Sequence, residues 1–267
     1  MAKKLMIERF FTGFGLLILI TLLTLSCAGP GGSGSGLDGS GESAQGSVDA
    51  EPLEEEEEEE GFVVGFTFEE GEEGTAYEII GAGWTDGIVG DALDFNGYDQ
   101  YAYVPNNESL ALSTAGTVGV WIRADSHKAF AGVLHKGENK DFSDEAWTLQ
   151  FWGSNGQIGV IIVGTDGTLL KVMSTFDLNI DEWYFITATW DLEKVTLYIN
   201  GQENNSRDNT VGEVKITDGG LVIGAQLSEP YNASYGHVGF DGAIDEVFVF
   251  DRVMTPEEIL ERFDAHI

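Results

Sequence analysis

From Phe62 to Phe250 the chain is a succession of strand-length runs separated by Gly, Asn and Asp, and nothing between those runs has the length or period of a helix. The runs are Phe62 to Phe68, Ala92 to Phe95, Tyr101 to Val104, Thr117 to Arg123, Val133 to Lys136 and Trp147 to Trp152. They continue with Gln157 to Val163, Leu169 to Met173, Trp183 to Trp190, Val195 to Ile199, Leu221 to Ile223 and Ala243 to Phe250. Parallel strands need long crossovers, usually helical, so short turns between strands predict antiparallel pairing and a two-layer sandwich. Asn200-Gly201 is the sharpest turn signal, because both residues tolerate the positive φ that a two-residue hairpin requires. In the last run, Val247 and Val249 alternate with Phe248 and Phe250, so both faces of that strand are apolar and it belongs inside a sheet. One helix is predicted beyond it, opened by Thr255 as N-cap, Pro256 in the first turn and Glu258 three residues after the cap.

The segment before this region cannot fold in the same way. Lys3, Lys4 and Arg9 precede a run from Phe10 to Leu25 that is apolar except for Thr and Gly, and Ser26 and Cys27 follow. The run is shorter than the roughly 20 residues of a spanning helix and has the layout of an export signal. With one cysteine in the chain, no internal disulfide forms. The segment resembles a bacterial lipoprotein signal, which implies cleavage before Cys27 and lipidation of that residue. Thr24 and Leu25 depart from the usual spacing, and Leu23 stands one step early. An uncleaved N-terminal anchor is the other reading, and both put the rest of the chain outside the cytoplasm. Ala28 is not the aspartate that retains lipoproteins in the inner membrane of enteric bacteria, so the resemblance points to the outer membrane or cell surface. The stretch to about Ala50 is rich in Gly and Ser, and Glu54 to Glu60 form an unbroken acidic run. Such a sequence buries too little apolar surface to offset its conformational entropy. The expected organisation is a signal peptide (1–26), a disordered Gly/Ser/Glu tether (27–60) and one folded domain (61–267).

Charge narrows the partners. The formal net charge is −33, which argues against nucleic acid and anionic membrane surfaces, since both attract basic patches. Neutral sugars, cations and proteins remain.

Several pieces in order carry a family resemblance: Gly90-Asp-Ala-Leu-Asp-Phe-Asn-Gly with Tyr101-Ala-Tyr-Val-Pro, Gly119-Val-Trp-Ile, Val133-Leu-His-Lys-Gly, Trp183 through Trp190-Asp191, Leu197-Tyr-Ile-Asn-Gly, Ile223-Gly-Ala, and Phe240-Asp-Gly-Ala-Ile-Asp-Glu-Val before the capped helix. The domain resembles the laminin G-like members of the concanavalin A-like jelly rolls from Phe62 to Phe263. The resemblance implies an all-β fold of two antiparallel sheets with a short C-terminal helix. It implies a structural calcium in many members, with Asp245 as the best side-chain ligand, Glu69 and Glu78 in the N-terminal loop facing it, and Asn96 where Asp is common. Glu78 also departs from the usual Asp. Without a metal, Asp245 would accept backbone hydrogen bonds and hold a turn.

Function has to be read from sites, because this fold serves lectins, glycosidases and structural modules alike. A retaining glucanase needs two carboxylates on one face, about 5 to 5.5 Å apart. The Glu-x-Asp-x-x-Glu string of similar enzymes is missing. Asp245 and Glu246 are adjacent and alternate to opposite faces, while Asp144-Glu145 and Asp181-Glu182 fall in predicted turns. His127, His135, His237 and His266 have no nucleophile in their sequence context. The chain therefore reads as a non-catalytic module. Sugar faces stack on exposed rings, and Trp152, Tyr98, Tyr231 and Tyr235, with His237, lie in or beside predicted loops, whereas Trp121, Trp183 and Trp190 sit on strands as core. The expectation is a surface-displayed module, lipid-anchored in the cell envelope, that binds a glycan or a surface protein. A structural or adhesion lipoprotein without a soluble ligand and a divergent glycoside hydrolase are the alternatives.

Overall fold

The computed structural model describes residues 8–10, 17–19, 59–69, 77–137, 145–226, 231–232 and 236–267. The chain divides into two units, Met1–Glu59 and Glu60–Ile267. In the first, β1 (Glu8–Phe10) pairs antiparallel with β2 (Leu17–Leu19). Cys27 and nearly all of the expected tether lie outside the described residues. Among those residues, no helix is long and apolar enough to cross a membrane.

The second unit begins with β3 (Phe62–Phe66), β4 (Glu78–Ile80), β5 (Gly83–Asp86), β6 (Asp91–Asn96) and β7 (Tyr101–Val104). It continues through β8 (Gly116–Ala124), β9 (Gly132–Gly137), β10 (Glu145–Phe151), β11 (Ile158–Val163) and β12 (Leu169–Met173). After β13 (Trp183–Trp190), β14 (Lys194–Ile199), β15 (Gln202–Asp208) and β16 (Leu221–Ile223) come the short β17 (Tyr231–Asn232) and β18 (Gly236–His237). The long β19 (Asp241–Phe250) and α1 (Pro256–Asp264) complete it. Two large sheets result, one ordered β12-β11-β10-β9-β16-β7-β4 and the other β15-β14-β13-β8-β19-β6-β5 with β3 added on β19. The expected antiparallel jelly-roll sandwich with a C-terminal helix is the fold observed.

Strand alternation divides each sheet into an inner and an outer face. Trp147, Leu149 and Phe151 of β10 and Val160 and Ile162 of β11 share one core with Val118, Val120 and Ile122 of β8 and Ile186 and Ala188 of β13. A second cluster covers the outer face of the eight-stranded sheet, where Trp121, Phe185, Phe248 and Phe250 meet Met254 and Ile259, with Phe263 against them. The Trp121 and Phe263 rings stack at 5.6 Å. Gly119 is required there, since a Cβ on it would lie 2.0 Å from the Phe248 ring. α1 is held by the expected capping box of Thr255 and Glu258, and Arg252 forks onto the Glu258 carboxylate at 2.7 and 2.9 Å.

The Asn200-Gly201 turn takes positive φ at both residues, 51° and 75°, as the dipeptide predicts. The alternation expected of β19 breaks in the middle. The strand lies against β8 along its length, while its other edge is shared by β6 at Asp241 to Ile244 and β3 at Val247 to Phe250. Between these partners the register with β8 shifts, and Glu246 takes φ 50°. An extra residue at a bulge reverses the facing of the residues beyond it. Asp245 lies opposite Trp121, and the Glu246 carboxylate reaches His266 Nε2 at 3.6 Å, beside Trp121. The two acids are therefore on the α1 side together and not on opposite faces. Both are sealed there, 0% and 6% exposed, out of a substrate's reach.

Candidate functional site

Of the four residues expected to hold calcium, the structure brings two to one turn. Asp245 Oδ2 accepts from Ile88 N at 2.9 Å and Val89 N at 3.3 Å, and Oδ1 from Glu246 N at 2.8 Å. Burial, then the neighbouring Glu246 charge, push the Asp245 carboxyl up to about 7, against the pull of those hydrogen bonds. The Glu69 carboxylate lies against Gly90, at the other end of the turn closed by Gly87 N and Gly90 O. Glu78 is an exposed residue of β4, in the opposite sheet, and Asn96 closes its own turn by accepting from Tyr98 N. Amide protons and a cation compete for the same lone pairs, so Asp245 fits a turn clamp better than a ligand. Among the described residues no group of three or more His, Cys, Asp or Glu is arranged to hold a metal.

The loops at one end of the sandwich form a different kind of site. Tyr98, in the turn after β6, and Phe130, in the connection from β8 to β9, are about half exposed, at 51% and 45%. Trp152 follows β10 and meets the Phe130 ring edge-on at 5.3 Å. Each outer member of this row carries an ammonium: Lys128 Nζ lies 3.8 Å from the Tyr98 ring centre and Lys171 Nζ 3.5 Å from that of Trp152. Lys128 also donates to Gly97 O and faces Asp241 at 3.9 Å. One turn links the halves of the row, since Ala131 N donates to Lys128 O and Phe130 lies between them. The chain leaves this end at Gln226 and returns at Val238, whose carbonyl accepts from both Gln226 N and Gly132 N. Gly132 has no room for a side chain, as a Cβ would lie 2.2 Å from Gln226 N.

Of the residues expected to contact a ligand, Trp152 and Tyr98 thus come to one rim. Tyr231 stands opposite His237 where β17 pairs with β18, in the excursion based at that rim; their side chains and all of Tyr235 lie outside the described residues. Phe130 is not legible from sequence. It has φ 63° and follows no pattern that separates an exposed ring from a packed one.

The rim adjoins the outer face of the seven-stranded sheet, which sequence reasoning missed. One cross-strand row runs Tyr103, Val222, His135, Thr148, Ile161, Lys171. Glu145, expected in a turn, is instead the first residue of β10 and is buried, as are His135 and Gln150, with Gln226 beside them. Burial pushes the Glu145 carboxyl up to about 7, opposed by nearby Lys171 and by a hydrogen bond from Gln226. Burial, with Lys136 adding to it, lowers the His135 imidazole to about 3, so it is neutral. Polar residues in mid-strand read as solvent-facing, and only the structure shows that they are covered.

The comparisons with known proteins agree with this architecture. A family model described as the concanavalin A-like lectin/glucanases superfamily, of the third laminin G type, matches residues 96–260. Among solved structures, the binding domain of Paraclostridial Mosquitocidal Protein 1 is similar at 18% identity and TM-score 0.56, covering 71% of this chain and 47% of that one. Domain 4 of AbnA, a GH43 extracellular arabinanase from Geobacillus stearothermophilus solved in complex with arabinotriose, is similar at 18% identity and TM-score 0.55, covering 69% and 86%. The botulinum neurotoxin serotype G binding domain is similar at 11% identity and TM-score 0.58, covering 76% and 51%. At such identities the likeness is one of fold, and this chain spans about half the length of the two toxin domains. No curated protein sequence matches the chain. With the family match and the sandwich in agreement, the chain belongs to the concanavalin A-like lectin/glucanases superfamily.

Proposed function

We propose that the folded unit is a non-catalytic binding module that seats a glycan on the rim formed by Tyr98, Phe130 and Trp152. The observation that carries this reading is the edge-on pair of Phe130 and Trp152, with Tyr98 joined to the same turn through Lys128, so that three loops each bring a ring to this end and two of the rings are about half exposed. Flat rings take the apolar faces of sugars, and the lysines beside them donate to hydroxyls. The arabinotriose held by the similar arabinanase domain supports a sugar over a protein ligand. The N-terminal signal layout, with Cys27 as the lipidated residue, would display the module at the outer membrane or cell surface.

The test is a polysaccharide panel, arabinan included, applied to the purified chain with calcium and with chelator while released reducing sugar is followed. Saturable binding with the polymer intact is expected, weakened about tenfold or more in Trp152→Ala and Tyr98→Ala. Release of reducing ends would replace this reading with a hydrolase. Binding of no glycan would move the rim to a protein ligand. The chelator arm decides whether a bound cation contributes.

A further inference from the structure

Four buried side chains on or beside the outer face of the seven-stranded sheet have polar atoms that nothing meets: Glu145 Oε1, Gln150 Oε1, Gln226 Oε1 and both ring nitrogens of His135. The strand register sets them along one face, from which long side chains reach toward His135. Glu145 lies opposite Gly137, Thr148 opposite His135 and Gln150 opposite Gly132, which places His135 between the two acceptors of β10. Gln226 arrives beside Gly132, where an added Cβ would be 2.5 Å from Gln226 Cα, and its side chain hydrogen-bonds the Glu145 carboxyl. That bond uses the amide N–H and leaves the amide oxygen bare. Thr148 is not part of the set, because its hydroxyl donates to Leu134 O at 3.1 Å.

Two of these groups are amide oxygens, which only accept, and a third is a carboxyl oxygen that only accepts once ionised; all three are shut off from bulk water. Such oxygens need N–H or O–H donors or a positive charge, and no donor of the fold meets them. A sugar on the rim does not reach them, since the four residues are at most 7% exposed. We infer that Glu145, Gln150, Gln226 and His135 form a divalent-cation site, with the Glu145 carboxylate as its charged ligand, the two amide oxygens as neutral ligands and one imidazole nitrogen. An oxygen-rich set with a single nitrogen suits calcium or manganese. The site is independent of the Gly87 to Gly90 turn, where the Asp245 oxygens already face amide protons. Lys171 is the competitor, a positive charge near enough to Glu145 to act on its carboxyl.

The experiment uses the full chain freed of metal with chelator, titrated with Ca2+ and with Mn2+ by calorimetry while the unfolding midpoint is followed. The midpoint is expected to rise with free cation, as for any ligand of the folded state. Glu145→Gln, which keeps the shape and removes the charge, is expected to weaken binding about tenfold or more, because ligand charge sets affinity in oxygen sites. Lys171→Gln is expected to strengthen it. Pulsed EPR of the Mn2+ form, which needs no variant, is expected to show coupling to a ring nitrogen. Two results would overturn the site. One is no stabilisation and no bound Mn2+ at millimolar cation, which makes it a buried water site. The other is binding that survives Glu145→Gln and is lost in Asp245→Asn, which puts the cation at the Gly87 to Gly90 turn. Mn2+ bound without nitrogen coupling overturns the place given to His135.

Discussion

The outer faces of the two sheets follow the same alternating code and end in opposite states. On the eight-stranded sheet the outward residues of β8, β13 and β19 are largely aromatic, and the chain covers them itself by laying α1 across Trp121, Phe185, Phe248 and Phe250. Arg262 completes the cover, its guanidinium 4.8 Å from the Phe248 ring centre and 5.0 Å from that of Phe250. On the seven-stranded sheet the outward residues of β9 and β10 include His135, Gln150 and Glu145, buried but poorly satisfied. Each bare buried polar atom costs about 1–3 kcal/mol. Trp121 Nε1 and Thr187 Oγ1 are bare on the first face too, but they lie within an aromatic cover that outweighs them; on the second face the bare atoms belong to a carboxyl, two amides and an imidazole, and a cost of that kind accumulates where a ligand is recognised.

The largest effect should come from the sealed face. Trp121→Ala removes a side chain that is 2% exposed, stacks on Phe263 and lies tilted against Phe185, and should lower unfolding free energy by about 3–5 kcal/mol in urea titrations. A loss under about 1 kcal/mol would mean that α1 is not a structural cover, and the contrast between the faces would collapse.

The next effect separates the faces by pH. Glu145 binds its proton more tightly when folded, at about 7 against 4.5, so its contribution to stability is complete below pH 4.5 and is lost as pH rises through about 7. Asp245 runs the same way from 3.8 to about 7. Stability should therefore fall between about pH 4 and 7, by a few kcal/mol for each of the two groups at about 1.4 kcal/mol per pKa unit. Glu145→Gln should flatten only its own share, leaving the slope that belongs to Asp245. An unchanged slope in that variant would show that Glu145 is not desolvated.

The smallest effect has the opposite sign. Gln150→Met exchanges a side chain with a bare acceptor for an apolar one of similar shape, and should raise stability by about 1 kcal/mol in metal-free buffer. A loss would mean that Gln150 is satisfied in solution.

Most of the fold was legible because the strands that build the core are apolar on a period of two. Tyr101–Val104, Leu169–Met173, Trp183–Trp190 and Leu221–Ile223 begin and end where their patterns do. β15 was not legible, because Gln-Glu-Asn-Asn-Ser-Arg-Asp has no apolar residue; it is an edge strand defined by its hydrogen bonds to β14. Those polar side chains have a use that pattern cannot show, as Asn205 and Arg207 donate to Met173 O and Lys171 O and so occupy the free edge of β12. The bulge in β19 was hidden for a related reason. A one-residue insertion leaves the residue types unchanged and alters only which way they face. The rim was half legible, since loop aromatics can be picked out, but the polar floor beside it required knowing which residues are covered.

The split edge of β19 also fixes how the molecule carries load. The chain enters the fold at Phe62, opposite Phe250 at one end of β19, and the rim lies at the other end, where Asp241 pairs with Asn96 two residues before Tyr98. Ten residues separate these ends, roughly 30 Å of extended strand. A pull between the entry point and a ligand held on the rim runs along β19, so its ladder with β8 is strained in shear, many bonds together, while the shorter β3 and β6 take the load in series on its other edge.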